Sequence, residues 1–286
     1  MSREKELRTV VLCALAMLAF AGNSLLCRTA LASRTIDPAS FALLRTVSGA
    51  VLLSALVLVE RRPRALRIGG SLAGAIALTV YMCGFAFAYL GMGAGTGALL
   101  LFGSVQITML GWAVKRGERP SVLQGIGMLC AVGGLVRLVA HGLSAPPLPA
   151  ALSMIAAGVA WAVYTLLGRS GGNPRFETAG NFLRASVLCV PVAILAWLVN
   201  GIALGVQGAL LAIASGAVAS GLGYAIWYAA LPGLTRMRAA IVQLTVPVLT
   251  ALLGVLLLDE MLGRDLLLAM VLVLGGVAAQ FTVRRG

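Results

Sequence analysis

Residues 117–134 read GERPSVLQGIGMLCAVGG, and residues 259–276 read DEMLGRDLLLAMVLVLGG. Each segment has a glutamate after an apolar run, at position 118 or 260, and a Gly-Gly pair in the apolar run that follows. The two copies lie 142 positions apart, about half of the 286 residues. This spacing indicates that the chain repeats itself once.

Two further matches lie earlier in each half. Residues 24–28 (SLLCR) pair with residues 165–169 (TLLGR), and Leu44-Arg45 pairs with Leu183-Arg184. All four matches occur in the same order, with offsets of 139 to 142. An accidental similarity does not explain four ordered matches, so we interpret the halves as two copies of one module.

The composition is that of a membrane protein. Apolar residues make up 60% of the chain and charged residues 11%, and the mean hydropathy of +1.00 excludes a soluble globular domain. Ten continuous apolar runs have about the 20 residues that a helix needs to cross a bilayer. They lie near residues 9–27, 38–59, 68–89, 95–114, 122–140, 149–168, 179–199, 207–230, 237–258 and 265–283.

Five runs fall in each predicted module, residues 1–142 and residues 143–286. Because five is odd, the second module enters the membrane from the opposite side to the first. Secondary transporters use such inverted repeats, with a substrate site between the halves near the middle of the membrane. The fold class expected is therefore an all-α membrane protein with ten transmembrane helices in two inverted five-helix repeats around a central cavity.

The net charge of +13 is distributed unevenly between the two sides of this predicted bundle. With the N-terminus inside, sixteen Lys and Arg residues lie in inner segments, four in outer segments, and two within spans. This positive-inside bias predicts a bacterial inner (cytoplasmic) membrane protein with both termini in the cytoplasm. The basic residues thus orient the chain, and no nucleic-acid partner is expected.

Two other features of the sequence have simple interpretations. Ala19-Phe20-Ala21 after a charged start imitates a signal-peptide cleavage site, but cleavage would delete a span whose counterpart is intact. The five cysteines all lie in apolar runs without a CxxC pattern, so we expect small buried side chains and no metal site. No cofactor is expected.

Short motifs in both halves match a known transporter module. They are Gly22-Asn23, Arg28, Pro38, Leu44-Arg45, residues 117–121 (GERPS), Gly125, Gly127, Gly133-Gly134, Pro247, Leu258-Asp259-Glu260 and Gly275-Gly276. Together they resemble the EamA-type module of the drug/metabolite transporter superfamily. Among such proteins the chain looks most like the YddG-type exporters of aromatic amino acids. The first half departs from the pattern at Val105, where the second half has Pro247.

The resemblance implies a ten-helix bundle whose central cavity opens alternately to either side and moves small organic solutes. It also implies that spans 1, 3, 4, 6, 8 and 9 line the cavity. The expected partners are a small-molecule substrate, an amino acid or similar, and the lipid bilayer. The sequence leaves the oligomeric state open, a monomer included.

The carboxylates are informative because none lies in the middle of a span. All nine are at predicted termini or span ends: Glu4, Glu6, Asp37, Glu60, Glu118, Glu177, Asp259, Glu260 and Asp265. Proton-coupled carriers usually keep a carboxylate or histidine deep in the membrane. We therefore favour a facilitator, or coupling through a span-end carboxylate. Glu118 and Glu260 match across the repeat and are predicted to be structural anchors, and Pro247 is predicted to break a helix.

Arg45 and Arg184 are the two cations placed within spans. An unpaired arginine in the middle of a bilayer costs at least about 2.5–3.5 kcal/mol. One interpretation, which we favour, is a structural or gating role in which each side chain reaches an interface or caps a neighbouring helix. The other is attraction of a substrate carboxylate.

Neutral polar and aromatic residues are the candidates for substrate binding. They are Asn23, Tyr81, Phe85, Gln106, Trp161, Tyr164, Tyr224, Tyr228 and Gln243. The alternative for the amides is a hydrogen bond between helices, and for the aromatic residues ordinary packing. Because the aromatic residues recur at matching places in both halves, we expect a cavity wall that stacks on a planar apolar solute.

The sequence therefore predicts a transporter that exports amino acids, with aromatic or other apolar ones favoured, by alternating access. One alternative is a multidrug or other metabolite exporter with the same fold. A remote alternative from a different class is an intramembrane enzyme, although no catalytic motif is visible.

Overall fold

The computed structural model of the chain describes residues 3–60, 69–117, 122–140, 145–168, 173–234 and 242–282. Ten helices lie within these residues. In chain order they are α1 (Arg3–Ala32), α2 (Pro38–Glu60), α3 (Leu72–Ala88), α4 (Ala94–Lys115), α5 (Val122–Ala140), α6 (Leu148–Leu167), α7 (Pro174–Asn200), α8 (α-helical at Val206–Ala214 and Gly223–Ala230, π-helical at Ser215–Leu222), α9 (Thr245–Leu258) and α10 (Arg264–Thr282). Each predicted apolar run overlaps one of these helices, so the prediction of an all-α membrane protein is confirmed.

Several helices are long and apolar enough to cross a membrane. Six such segments are found among the described residues: Glu4–Ala32, Pro38–Val59, Ala94–Lys115, Leu148–Leu167, Pro174–Asn200 and Val206–Gly233. Three shorter apolar helices accompany them, at Leu72–Ala88, Gly125–Arg137 and Thr245–Leu258. The chain is thus a multi-pass membrane protein.

Local sequence signals fix where the helices begin and end. Asp37 precedes Pro38, the first residue of α2, and accepts a hydrogen bond from the backbone N–H of Ser40 at 2.8 Å. Proline suits the first helical turn because it lacks the N–H that would have no partner there, and aspartate satisfies one of the remaining donors. At the other end of a helix, Asp259 adopts a left-handed conformation with φ of 52° and terminates α9.

The packing of the helices follows the repeat. Each helix of the first half has an equivalent five helices later, so that α1 corresponds to α6 and α3 to α8. Replacing both helices of a contact by their equivalents gives another observed contact: α3–α6 corresponds to α8–α1, α4–α6 to α9–α1, and α3–α7 to α8–α2. Three more contacts join equivalent helices, namely α2–α7, α4–α9 and α5–α10. The two halves are therefore related by an approximate two-fold axis, and most of the packing lies between them rather than within each.

The π-helical part of α8 packs closely against α2. A Cβ atom added to Gly216 would lie 2.0 Å from the backbone oxygen of Arg45 and 2.1 Å from Oγ of Ser48. Such an approach requires glycine, because any side chain would push the two helices apart. Single turns of π-helix occur frequently at functional sites. This contact brings the π segment directly against the in-span residue Arg45.

Candidate substrate site

A narrow cavity lies between helices of both halves. Its walls are Phe20, Asn23 and Ser24 from α1, Tyr81 and Phe85 from α3, Leu101 and Phe102 from α4, Trp161 from α6, and Gln243 just before α9. The cavity volume is about 20 Å³, room for roughly one water molecule, so the walls lie nearly against one another. The lining is mostly apolar with a few polar groups, which is the chemistry typical of binding sites for small molecules.

Trp161 is the centre of the aromatic wall. Its ring lies 4.8 Å from Tyr81, 5.3 Å from Tyr224 and 5.5 Å from Tyr164, measured between centroids, and it is stacked on the last of these. Tyr81 belongs to the first half, and the other residues belong to the second. The predicted aromatic stripes of α3, α6 and α8 therefore meet at one place.

The aromatic contacts extend from Trp161 along the interface. Tyr81 contacts Phe85, whose ring in turn lies 4.8 Å from Tyr89. Tyr224 contacts Phe20 and Phe182, with centroids 5.8 Å and 6.0 Å away. Edge-to-face and tilted pairs dominate, which is the arrangement that ring quadrupoles prefer. Aromatic contacts thus connect the two halves, and Phe20, Tyr81, Phe85 and Trp161 of this group line the cavity.

Asn23 supplies the buried amide of this site. Its side chain is 6% exposed, and its Oδ1 accepts a hydrogen bond of 2.5 Å from the Ser215 hydroxyl. Ser215 is the first residue of the π-helical segment of α8. The amide oxygen of Asn23 therefore accepts a hydrogen bond from the second half, and Asn23 also lines the cavity.

Arg45 lies deep in the protein rather than near a membrane–water interface. Its side chain is 1% exposed. Nε donates to Oγ of Ser220 at 3.3 Å, and Nη2 donates to the hydroxyl of Tyr81 at 3.0 Å. The guanidinium carbon also lies 4.7 Å from the ring centre of Phe85, a cation–π geometry. The favoured sequence interpretation, a side chain directed to an interface or a helix end, does not describe this placement.

Four other predicted residues differ in whether they line the cavity. Tyr164 reaches it only through Trp161, and the hydroxyl of Tyr228 instead accepts a hydrogen bond from Thr178 at 3.3 Å. Gln243 is in the cavity wall, whereas Gln106 is half-buried on α4 and is not among the lining residues. Their assignment to substrate binding stays a prediction.

Sequence reasoning missed several residues of this region, among them Phe20, Ser215 and Ser220. Phe20 lies three positions before Asn23, so helical periodicity places both on one face of α1. At the offset of 139 that aligns Phe85 with Tyr224, Ser220 aligns with Tyr81. The repeat therefore carried a signal for Ser220, whereas Ser215 has none because its role depends on the close approach of α8.

Comparison with known proteins identifies the family. The model of the EamA-like transporter family matches residues 7–140 and again residues 148–282. The chain belongs to the EamA-like transporter family. It is 52% identical over 279 residues to an uncharacterized protein of Pseudomonas aeruginosa, covering 98% of this chain and 96% of that protein. An uncharacterized transporter of Archaeoglobus fulgidus is 25% identical over 264 residues, covering 88% of this chain and 90% of that protein.

The fold is also found in a solved crystal structure. That structure matches with a TM-score of 0.64 at 19% sequence identity, covering 95% of this chain and 94% of the other. At this identity the likeness shows the fold alone. As an EamA-like transporter the protein is expected to act on a small-molecule substrate from within the membrane.

A network around Glu260 joins the halves of this EamA-like transporter at one end of α3. The Glu260 carboxylate accepts hydrogen bonds of 2.8 Å and 2.9 Å from the backbone N–H of Ala94, at the start of α4. Arg28 forms an ion pair with it at 3.3 Å and also donates to the backbone oxygen of Tyr89 at 3.2 Å. Carboxylates stabilise helix N-termini, so Glu260 acts as a cap supplied by the other half.

A second network lies at the opposite end of α3, where α7 begins. The backbone N–H of Gly70 donates to Glu177 at 2.5 Å, and that of Ser71 donates to Oδ1 of Asn181 at 2.8 Å. Arg184 donates to the backbone oxygens of Gly69 and Gly180. Arg184 thus contacts the backbone before α3, and its structural or gating role stays a prediction. Glu118, the repeat counterpart of Glu260, lies outside the described residues.

Proposed function

We propose that this EamA-like transporter exports amino acids, those with aromatic or other apolar side chains favoured. The observation that carries the proposal is the aromatic wall around Trp161, to which both halves contribute and which borders a cavity that also contains the amides of Asn23 and Gln243. Flat rings stack on aromatic substrates, and a few amides orient the polar end of a ligand.

Transport by alternating access fits the way in which the halves are joined. The networks at the two ends of α3 both link one half to the other, through Glu260 at one end and through Glu177 at the other. If the halves rock around the cavity, one network opens while the other stays closed. The residues at the predicted substrate site lie between these two networks.

We further propose that transport does not require a buried proton relay. The described carboxylates nearest to the interface, Glu177 and Glu260, both act at helix ends rather than in the cavity wall. No carboxylate or histidine is among the described residues that line the cavity, so a pH gradient has no such group there on which to act. Uphill accumulation of substrate driven by a pH gradient in liposomes would contradict this part.

The excess of basic residues on one side supports insertion in a bacterial inner membrane with both termini in the cytoplasm.

Export of cationic drugs is the rival function with the same fold. It is disfavoured because the guanidinium of Arg45 lies against two residues of the cavity wall, Tyr81 and Phe85, and repels a cation there.

Purified protein in liposomes tests the proposal. Vesicles loaded with a panel of radiolabelled amino acids should release phenylalanine, tyrosine, tryptophan or leucine faster than protein-free vesicles, without added nucleotide. The Tyr224→Ala and Tyr81→Ala variants should reduce this release because each removes a ring from the aromatic wall. Trp112→Ala is the control, since Trp112 is 40% exposed at the end of α4, away from the cavity.

The outcome of the flux assay separates the candidates. Release of charged or hydrophilic amino acids but not of aromatic or apolar ones would contradict the proposed selectivity. Unchanged release in both tyrosine variants would contradict a role of the wall. Conversion of a solute without any flux would instead support an intramembrane enzyme.

A further inference from the structure

Arg45 is a buried charge that has no counter-ion among the residues that the structure describes. The ion pairs among the described residues are Arg28–Glu260 and Arg137–Asp265, and Arg45 belongs to neither. Its Nη1 atom is buried and has no hydrogen-bond partner. A buried guanidinium with unused donors is costly, because its hydration is lost without full replacement. A protein that keeps such a group gains from it in another state or with a ligand bound.

The position of Arg45 is held from both halves. Nη2 is bonded to Tyr81 and Nε to Ser220, and these two residues occupy equivalent places in the repeat, 139 positions apart. The guanidinium is therefore near the approximate two-fold axis, where inverted-repeat transporters bind their substrates. The repeat counterpart, Arg184, bonds instead to backbone oxygens beside α3. Only one of the two matched arginines is thus directed into the centre.

The guanidinium of Arg45 lies against two residues of the cavity wall. Tyr81 and Phe85 line the cavity, and the guanidinium carbon is 5.2 Å and 4.7 Å from their ring centres. No carboxylate belongs to the described lining of this space, so the wall offers a positive group for an anion and no negative group for an ammonium.

We propose that Arg45 is the carboxylate anchor of the substrate site, and that the site takes aromatic or apolar carboxylates with or without an amino group. This proposal rests on the proposed function as a carrier of such solutes. The carboxylate accepts hydrogen bonds from Nη1, which gains the partner it lacks, while the apolar part of the ligand stacks against Trp161. Hydrogen bonds between a guanidinium and a carboxylate are stronger than those between neutral groups.

Three probes of nearly equal size test the anchor on the wild-type protein in detergent. L-Phenylalanine has both charged groups, 3-phenylpropanoate only the carboxylate, and 2-phenylethylamine only the ammonium. Both carboxylates should raise the thermal unfolding midpoint in a concentration-dependent way, and the amine should not. Equal stabilisation by the amine, or no stabilisation by either carboxylate, would overturn the proposal. Binding of phenylalanine without binding of phenylpropanoate would overturn the claim that a carboxylate suffices.

Two variants connect the effect to Arg45. Arg45→Gln should weaken binding of both carboxylates by about 10- to 100-fold. Arg45→Lys keeps the charge but loses the planar group of donors. Its affinity for the carboxylates should therefore lie between those of the wild-type protein and Arg45→Gln. Arg137→Gln is the control, because Arg137 is 45% exposed in its ion pair with Asp265. If Arg45→Gln does not fold, Arg45→Lys and the wild-type probes decide the question.

The anchor and the proposed function fail in different ways. Arg45-dependent binding of phenylpropanoate without any amino acid flux would retain the anchor and reject amino acid export. Amino acid flux that Arg45→Gln and Arg45→Lys both leave intact would retain export and reject the anchor.

Discussion

At the level of single residues, Trp161 connects the aromatic residues of the two halves in the candidate site. It contacts Tyr81 across the interface and Tyr164 and Tyr224 within its own half. A ring in this position serves both as a packing group and as a stacking surface. The two roles are separable, because packing affects unfolding and stacking affects ligand binding.

Replacing Trp161 with Phe and with Ala should distinguish these roles. Trp161→Phe keeps an aromatic face, so we expect flux to fall less than tenfold, whereas Trp161→Ala should reduce flux by more than tenfold. The measurement is initial release of labelled substrate from liposomes at matched protein content. Equal flux in Trp161→Ala and wild type would show that the ring serves packing alone.

The hydrogen bond between Asn23 and Ser215 links the halves within the protein interior. Asn23→Ala should destabilise the protein by about 1–3 kcal/mol, because the buried Ser215 hydroxyl loses its acceptor. The double variant Asn23→Ala/Ser215→Ala should recover part of that loss, since no polar group is then left without a partner. Unfolding in detergent by a denaturant measures both. A double variant whose loss equals the sum of the single losses would exclude coupling between the residues.

At the level of helices, the sequence predicted all ten helices and the repeat, but only part of the site. The length of the apolar runs and the matched motifs are local signals, and these were sufficient for the fold. The placement of Arg45 was not predicted, because it depends on which face of α8 meets α2. That choice is made by Gly216 and Ser220 more than 170 residues further along the chain. A pattern within α2 carries no information about them.

The close contact of α2 with the π segment leads to a prediction about Gly216. Gly216→Ala places a methyl group 2.0 Å from the Arg45 backbone oxygen, and backbone atoms of two packed helices have no room to yield. We expect a loss of stability of about 1–3 kcal/mol, as for overpacking, together with lower flux as Arg45 is displaced. Gly111→Ala is the matched control, because nothing lies within 4 Å of its added Cβ. Equal thermal unfolding midpoints of the two variants in detergent would contradict the close contact at Gly216.

At the level of the whole molecule, the paired contacts bear on the proposed alternating access. α3–α7 and α8–α2 are equivalent contacts, and so are α3–α6 and α8–α1. In an inverted repeat, exchanging the conformations of the two halves converts an outward-open state to an inward-open one. Under the proposed alternating access, we expect contacts that are exchanged in this way to change during transport, α3 against α7 among them.

Two native cysteines allow this motion to be tested without introducing new residues. Cys83 on α3 and Cys189 on α7 belong to different halves, and their sulfur atoms are 3.9 Å apart. Copper phenanthroline with oxygen removes two electrons and two protons from the pair, and the resulting bond of about 2.05 Å fixes α3 to α7. We expect the oxidised protein to lose flux and dithiothreitol to restore it, with mass spectrometry confirming the linked peptides. Cys83→Ser should transport normally and resist the oxidant, because Cys189 then has no partner there. Full flux in protein that is completely cross-linked would mean that α3 and α7 move together, so that the moving interface lies elsewhere in the bundle.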